Sequence, residues 1–442
     1  MAKKTTLNRR TFLSTAAAAS AFTLLPHNKL FGADAPSKKL RVAGVGAGGQ
    51  AMHDLGQVSR FADIVALCDV DDERSALAKQ RWPEATVYRD WRIMLEKEQN
   101  NIDAVVVACP DHMHAVAAMA AMQLGKHVYV EKPMAHNIAE VRALRAMAKK
   151  TGVVTQMGNQ GHSFPGVHRL KKWMELDAIG TVSEVQCWTN RPSWPQGIPR
   201  PADTPPVPKT LDWDLWLGPA AKRPYNPAYC PRSWRGWADF GTGALGDMGC
   251  HILDSPFYAL DLGNPDRVTA EAEPFNGETF QKKTKITYEF PARGDMPPVK
   301  LVWHDGGSMP ERPEELEEGR PIGDNEGGSL FIGSKGKMVS GTYSNNAQLI
   351  PEDKHDNYEH KSIKAFKSKG HHYDWVMACM GEGSCASHFD YAAGLTEMVL
   401  LGTIALRAKS PIEWDTATMS VTNDADANEL VSREYLNGYS LG

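Results

Sequence analysis

Leu40-Arg41-Val42-Ala43-Gly44-Val45-Gly46-Ala47-Gly48-Gly49 reads as an apolar strand entering a Gly-x-Gly-x-x-Gly turn, the arrangement that cradles a pyrophosphate. By spacing, Gly44 allows the tight turn, Gly46 lets backbone approach the phosphates, and Gly49 lets the next helix pack close. The start of that helix offers unpaired N–H groups and a positive dipole end. Twenty residues past Gly49, a second apolar strand, Ile64-Val65-Ala66-Leu67-Cys68, ends on Asp69. An acid there would accept hydrogen bonds from an adenosine ribose and repel a 2′-phosphate, so the pattern favours NAD over NADP. The chemistry on offer is hydride transfer.

Positioning such a site takes alternating strands and helices, and residues 36–157 supply them. Helical stretches at 72–81, 90–98 and 138–150 separate short apolar runs at 86–88, 104–108, 127–130 and 153–157. Ala104–Ala108 is apolar on both faces, as a central parallel strand must be. In a doubly wound sheet, ligands lie outside the carboxyl ends of the strands, which here carry Pro110–His114 and Glu131–Pro133. From residue 158 the rhythm changes. Apolar runs at 181–190, 283–290, 299–304, 330–333 and 337–340 predict a largely antiparallel, open-faced sheet with helices at 372–380 and 391–408. The fold class is therefore α/β: an N-terminal Rossmann doubly wound parallel sheet plus a C-terminal α+β domain over 158–442.

The first 35 residues read as a leader. Asn8-Arg9-Arg10-Thr11-Phe12-Leu13 provides a twin arginine, an apolar run follows to Leu25, and Ala33-Asp34-Ala35 is a small-residue cleavage site. The apolar run falls short of the roughly 20 residues that span a bilayer. These signals predict export by the twin-arginine route to the periplasm or beyond, with no membrane segment in the mature form. Removal of residues 1–35 takes away five Lys/Arg and one Asp, so the formal charge of −4 becomes −8. An acidic chain argues against nucleic acid and anionic membranes as partners. The seven cysteines mostly sit in apolar runs as small hydrophobes, although Cys379 and Cys385 are close enough to pair in an oxidising compartment. No metal-ligand spacing occurs, and no metal is expected.

Gly44-x-Gly46-x-x-Gly49, Asp69, Pro110-Asp111-His112-Met113-His114, Glu131-Lys132-Pro133 and Asp247-Met248-Gly249-Cys250-His251 follow one another as in the Gfo/Idh/MocA oxidoreductases. That family includes glucose-fructose oxidoreductase and inositol dehydrogenases, and the leader and Trp-rich insertion resemble its secreted branch. The resemblance implies a catalytic group of Lys132, Asp247 and His251. It implies cofactor contacts from Gly44, Gly46, Gly49 and Asp69, with Pro110, His114, Glu131 and Pro133 shaping the nicotinamide side. Elementary chemistry agrees. Oxidising a secondary alcohol needs a base for the hydroxyl proton, and imidazole suits neutral pH. Asp247 and His251 share one face if helical, and Lys132 would stabilise developing alkoxide charge.

Six tryptophans fall within residues 188–237, namely Trp188, Trp194, Trp213, Trp216, Trp234 and Trp237, accompanied by Arg191, Arg200, Arg232 and Arg235. Flat aromatic faces stack on sugar rings and guanidinium groups bind hydroxyls, so this insertion predicts a carbohydrate subsite. Trp188, Arg191, Trp234 and Arg235, with Asn159 and Gln160 beyond the last Rossmann strand, are the candidate substrate contacts. The expected activity is NAD(P)-dependent oxidation of a sugar or polyol hydroxyl with a tightly held cofactor. The alternative is a redox-neutral glycosidase working by oxidation, elimination, hydration and re-reduction, with His162, His168 or Tyr225 as its additional base. The family resemblance implies a homo-oligomer, dimer or tetramer, through the open sheet face.

Overall fold

The computed structural model describes residues 39–364 and 368–442. The leader and its cleavage site lie outside the described residues. Six short strands, β1 (Arg41–Val45), β2 (Asp63–Cys68), β3 (Thr86–Tyr88), β4 (Ala104–Val107), β5 (His127–Val130) and β6 (Thr155–Met157), form one sheet. Its order is β3-β2-β1-β4-β5-β6 and every pairing is parallel. All four residues of β4 and of β5 are buried, as two-sided coverage requires. The crossing helices carry their own start signals: Asp71, Asp90 and Asn137 each cap a helix by accepting a backbone N–H.

A second, nine-stranded sheet follows. Its strands are β7 (Val182–Thr189), β8 (Arg267–Ala272), β9 (Thr284–Phe290), β10 (Val299–His304), β11 (Gly327–Gly333), β12 (Gly336–Gly341), β13 (Gln348–Ile350), β14 (Ile412–Asp415) and β15 (Ser420–Val421). They are ordered β13-β12-β11-β7-β10-β9-β8-β14-β15. The pairings are antiparallel except between β7 and β10. The 19-residue helix Phe389–Arg407 is apolar on nearly all faces and is buried as a core helix.

One late segment serves the early sheet. Trp375, Val376 and Cys379 of the helix His371–Cys379 share a core cluster with Val42, Leu55, Val106 and Tyr129. The Trp-rich insertion is built around its own core of Trp213, Trp216, Tyr225, Tyr229, Trp237 and Phe240. It is tied down at both ends of a stretch near residues 210–220. Asp72 N–H donates to the Thr210 carbonyl (3.0 Å) and Asp212 N–H to that of Val70 (2.9 Å). Asn437 donates to the carbonyl of Gly218 (2.8 Å). All seven cysteines are free, so Cys379 and Cys385 do not pair; Cys385 donates instead to the Thr155 carbonyl.

Candidate active site

The turn after β1 divides its glycine roles differently from the spacing argument. Gly44 lies within the strand, where an added Cβ would meet the Leu55 side chain at 2.7 Å, so it permits helix packing. Gly46 (φ 95°) is the residue that must be glycine for the turn, because a Cβ would stand 2.5 Å from the Ala108 carbonyl oxygen. Gly49, at φ 54° and ψ −124°, opens the helix Gln50–Val58. Asp69 closes the turn by accepting from the N–H groups of Ala47 (2.8 Å) and Asp71 (3.1 Å).

These residues line one end of a cavity of about 510 Å³ that runs past Ala108, Pro110 and His114 to Glu131, Lys132 and Asp247. Its other wall comes from the insertion, through Leu211, Leu215, Trp216, Pro231, Trp234 and Arg235. His114 braces the cleft, its ring nitrogens lying 2.8 Å from the carbonyls of Pro133 and Cys109. Pro133 contributes that carbonyl.

At the far end, Lys132 Nζ donates to Asp247 Oδ1 and to the Asp247 carbonyl, both at 2.8 Å. The helix Gly243–Ile252 carries Asp247 and, one turn on, His251. Arg235 Nε lies 3.1 Å from Asp247 Oδ1, while its Nη1 donates to Asp111 (3.1 Å). Arg191 stands 3.8 Å from Asp247 Oδ2. Burial alone would raise the Asp247 carboxyl, but Lys132 and Arg235 hold it well below the ordinary carboxylate range, so it is an anion. Burial and the charge of Lys132 push the His251 imidazole down to about 3. The ring is neutral, and its Nδ1 has no protein partner. A neutral imidazole beside a lysine–carboxylate pair can take a hydroxyl proton while the ammonium faces the resulting oxygen.

Of the remaining substrate candidates, Trp234 and Arg235 line the cavity, with the guanidinium carbon 4.3 Å above the indole. Three others are placed elsewhere. Trp188 is buried with Leu316, Leu330, Val339 and Ile350, because the inward face of β7 needs a large apolar group there. Asn159 is fully buried and accepts from Ser387. Gln160 donates to Glu131 Oε1 (2.9 Å) and to the Tyr129 hydroxyl (3.2 Å), so it supports the Glu131 carboxyl. Trp213, Tyr229 and Trp237 pack on one another as the insertion's core.

Two residues escaped the sequence reading. Tyr343 packs edge-on to His251 (centroids 5.1 Å apart), but it follows β12 in a loop with no motif. Arg74 lies over Gly48, against the cofactor end of the cavity. A cation five residues beyond the Asp69 acid, on the next helix, was the available signal.

Two sequence profiles match the chain. Residues 38–159 match the Gfo/Idh/MocA oxidoreductase family's NAD-binding Rossmann fold, and residues 167–296 match the family's C-terminal alpha/beta domain. The chain belongs to the Gfo/Idh/MocA oxidoreductase family. Among characterised relatives, it is 26% identical over 199 residues to levoglucosan dehydrogenase of Pseudarthrobacter phenanthrenivorans, covering 44% of this chain and 42% of that one. It is 39% identical over 127 residues to glycosyl hydrolase family 109 protein 1 of Bacteroides fragilis, covering 26% and 27%. The chain thus matches less than half the length of either relative. Its fold resembles that of the WlbA dehydrogenase from Bordetella pertussis, solved with NADH and UDP-GlcNAcA. The TM-score is 0.60 at 17% identity, over 86% of this chain and 99% of that one.

Proposed function

We propose that this chain is an NAD-dependent oxidoreductase for a secondary hydroxyl of a sugar, sugar derivative or polyol. The observation that carries the reading is one continuous cavity joining the glycine turn to the Lys132–Asp247 pair, with neutral His251 beside it. The residues fit the cofactor: Gly46, Gly48 and Gly49 present bare backbone to the cavity, and the helix Gln50–Val58 starts at that point. NAD, when bound, would accept the hydride. This chain's part is to orient the carbinol, take its proton on His251 and hold the oxygen's developing charge with Lys132. Asp247 keeps Lys132 in place.

The cofactor is held through repeated turnovers, because the insertion forms the second wall of its cleft. We assign the protein to the periplasm by way of its leader and to a homo-oligomer. Gly218 ends the helix Trp213–Leu217 in that wall, with φ 53° and ψ −125°, a region open only to glycine. A Cβ there would also press on Met113 Sδ at 2.1 Å. Gly218→Val is expected to release bound NAD at least about tenfold faster, a loss of about 1.4 kcal/mol in retention. Nucleotide remaining after gel filtration, read by absorbance, checks this. Full retention would refute it.

A glycosidase cycle leaves the cofactor's redox state unchanged, which suits a retained nucleotide. It needs a second base. His162 instead lies 3.0 Å from Asp254 and His168 lies 2.8 Å from the His162 carbonyl, while Tyr225 packs against Trp213. All three are engaged by groups other than the Lys132–Asp247 pair, which favours the oxidoreductase. Purified protein would be incubated with free sugars and with aryl glycosides, following nicotinamide absorbance and aglycone release together. A stoichiometric absorbance rise with a free sugar, reversed by a keto-sugar, supports the oxidoreductase. Continuous aglycone release without net absorbance change supports the glycosidase.

A further inference from the structure

Trp194 belongs neither to the cofactor cleft nor to the core of the insertion. Among the described residues, every other tryptophan packs within or against one of four hydrophobic clusters, and Trp194 packs with none of them. Its indole is half-buried and lines a separate cavity of about 300 Å³ with Asn190, Pro192, Gln196, Lys282 and Gly306. The ring is held in place. Its Nε1 donates to Gln196 Oε1 (2.9 Å), and the buried Gln196 donates in turn to the Gln281 carbonyl (2.7 Å). Gly197 N–H donates to the Phe280 carbonyl (2.8 Å) and Ile198 N–H to Thr279 Oγ1 (2.9 Å), which lays the segment along residues 279–282. With its N–H engaged, the indole offers a ligand only the face of an apolar ring.

This cavity lies one arginine side chain away from the Lys132–Asp247 pair. β7 and β10 run parallel, with Trp188 opposite His304, and β11 begins opposite Thr189, so residues 190–197, 305–306 and 326 emerge at one end of the second sheet. Lys282 precedes β9 at that same end. Asn190 and Pro192 line the cavity, and Arg191 between them reaches away to the catalytic pair, its Nε 3.8 Å from Asp247 Oδ2 and its Nη2 3.3 Å from Glu326 Oε1. The Arg191 carbonyl accepts from the Gly306 N–H (2.7 Å), which fixes this residue between the two spaces. A second stretch of chain joins them. Gly236 packs against the indole, where an added Cβ would stand 3.1 Å from Cδ1, and its neighbour Arg235 lies 3.1 Å from Asp247 Oδ1.

We propose that this cavity is a second sugar subsite with the Trp194 indole as its platform, and that the substrate is a saccharide of at least two units. One unit sits at Lys132 and His251 and the next lies on Trp194. This rests on the oxidoreductase reading above. A sugar ring has apolar C–H faces and a rim of hydroxyls, so it needs a flat apolar surface beneath it and hydrogen-bonding groups around the edge. Lys282 supplies an ammonium at that edge, and among the described residues it forms no ion pair. A cavity at the lower end of the roughly 300–1,000 Å³ range of ligand pockets holds one ring and not a long chain. Because Gln196 already fixes the indole, little side-chain freedom is lost when the ring docks.

The full chain loaded with NAD would be given matched sugars, glucose with cellobiose and maltose, galactose with galactobiose, and mannose with mannobiose, following nicotinamide absorbance. At least one disaccharide is expected to exceed its monosaccharide about tenfold in kcat/KM, with the difference carried by KM. Trp194→Ala should lower that ratio about tenfold, while Trp194→Phe, which keeps a ring, should retain most of it. Lys282→Gln, at an exposed side chain, should lower it several-fold. The ratio is an internal control for folding, because both sugars meet the same Lys132–Asp247 pair. Isothermal titration of the NADH-bound chain, which cannot oxidise a hydroxyl, should show the same preference as binding. No preference in any pair, or a ratio unchanged in both Trp194→Ala and Lys282→Gln, would overturn the subsite and leave the oxidoreductase reading standing. An aryl glucoside preferred over every disaccharide would overturn the sugar assignment of the cavity. Sugars that neither bind nor reduce the nicotinamide would overturn the functional reading with it.

Discussion

Lys132→Met lowers kcat by about two to three orders of magnitude, the usual cost of removing one donor aimed at developing oxyanion charge. The side chain is similar in length, so the cavity keeps its shape while Asp247 loses the closest of its three ammonium and guanidinium partners. Arg235, at 3.1 Å, still compensates that carboxylate, which is why the variant should fold. His251→Asn removes the base and is expected to cost about 10² to 10⁴ in kcat. The double variant should lose far less than the product, because the two groups act on the same oxygen and its proton. NAD binding, measured by tryptophan quenching, should persist in all three. The pH profile carries a second test. His251 keeps its basic form down to about pH 3, so acidification from pH 7 to 5 should not remove it. Because its folded-state affinity for protons lies below that of an unfolded histidine, its contribution to stability is intact above about pH 6.5 and declines as pH falls toward 3. A kcat unchanged by Lys132→Met would remove the lysine from the mechanism.

Gly46→Val abolishes useful NAD binding, weakening it by more than about a hundredfold. An L-residue at φ 95° carries roughly 1–2 kcal/mol of strain, and overpacking adds about 1–3 kcal/mol. The atoms in the way belong to the Ala108 carbonyl and the Cys109 N–H, which are backbone at the end of β4 and cannot rotate aside. The turn would have to move away from β4 to make room, and the phosphate cradle would move with it. Isothermal titration with NAD+ reads the loss, and a melting curve separates it from unfolding. Binding within tenfold of the parent would refute the assignment of this turn as the phosphate cradle.

The Rossmann half was legible because its signals are local. Asp71, Asp90 and Asn137 mark helix starts within one turn of where they act, and Ala104–Val107 shows its double burial in its own composition. The Lys132–Asp247 contact is 115 residues long in sequence and came from motif resemblance. Neither residue's neighbours dictate it. The second sheet was partly hidden, since β8, β13, β14 and β15 are short or mixed in polarity and gain their partners only in the fold. The same reason defeated the tryptophans. An indole that fills a core and one that meets a sugar look alike in sequence, and only assembly separates Trp188 from Trp234. Arg74 and Tyr343 were missed because their importance comes from what the chain brings over them.

The tether between Asn437 and Gly218 spans 219 residues. On the ribosome, the wall segment therefore emerges long before the residues that fasten it. Arg433, which donates to the His112 carbonyl, and Leu436, which donates to that of Pro219, arrive equally late. The nucleotide groove of a nascent chain is thus open for most of its synthesis and can fill before it is fastened. Order of synthesis, more than affinity, would then set which molecules of this protein leave the ribosome already charged.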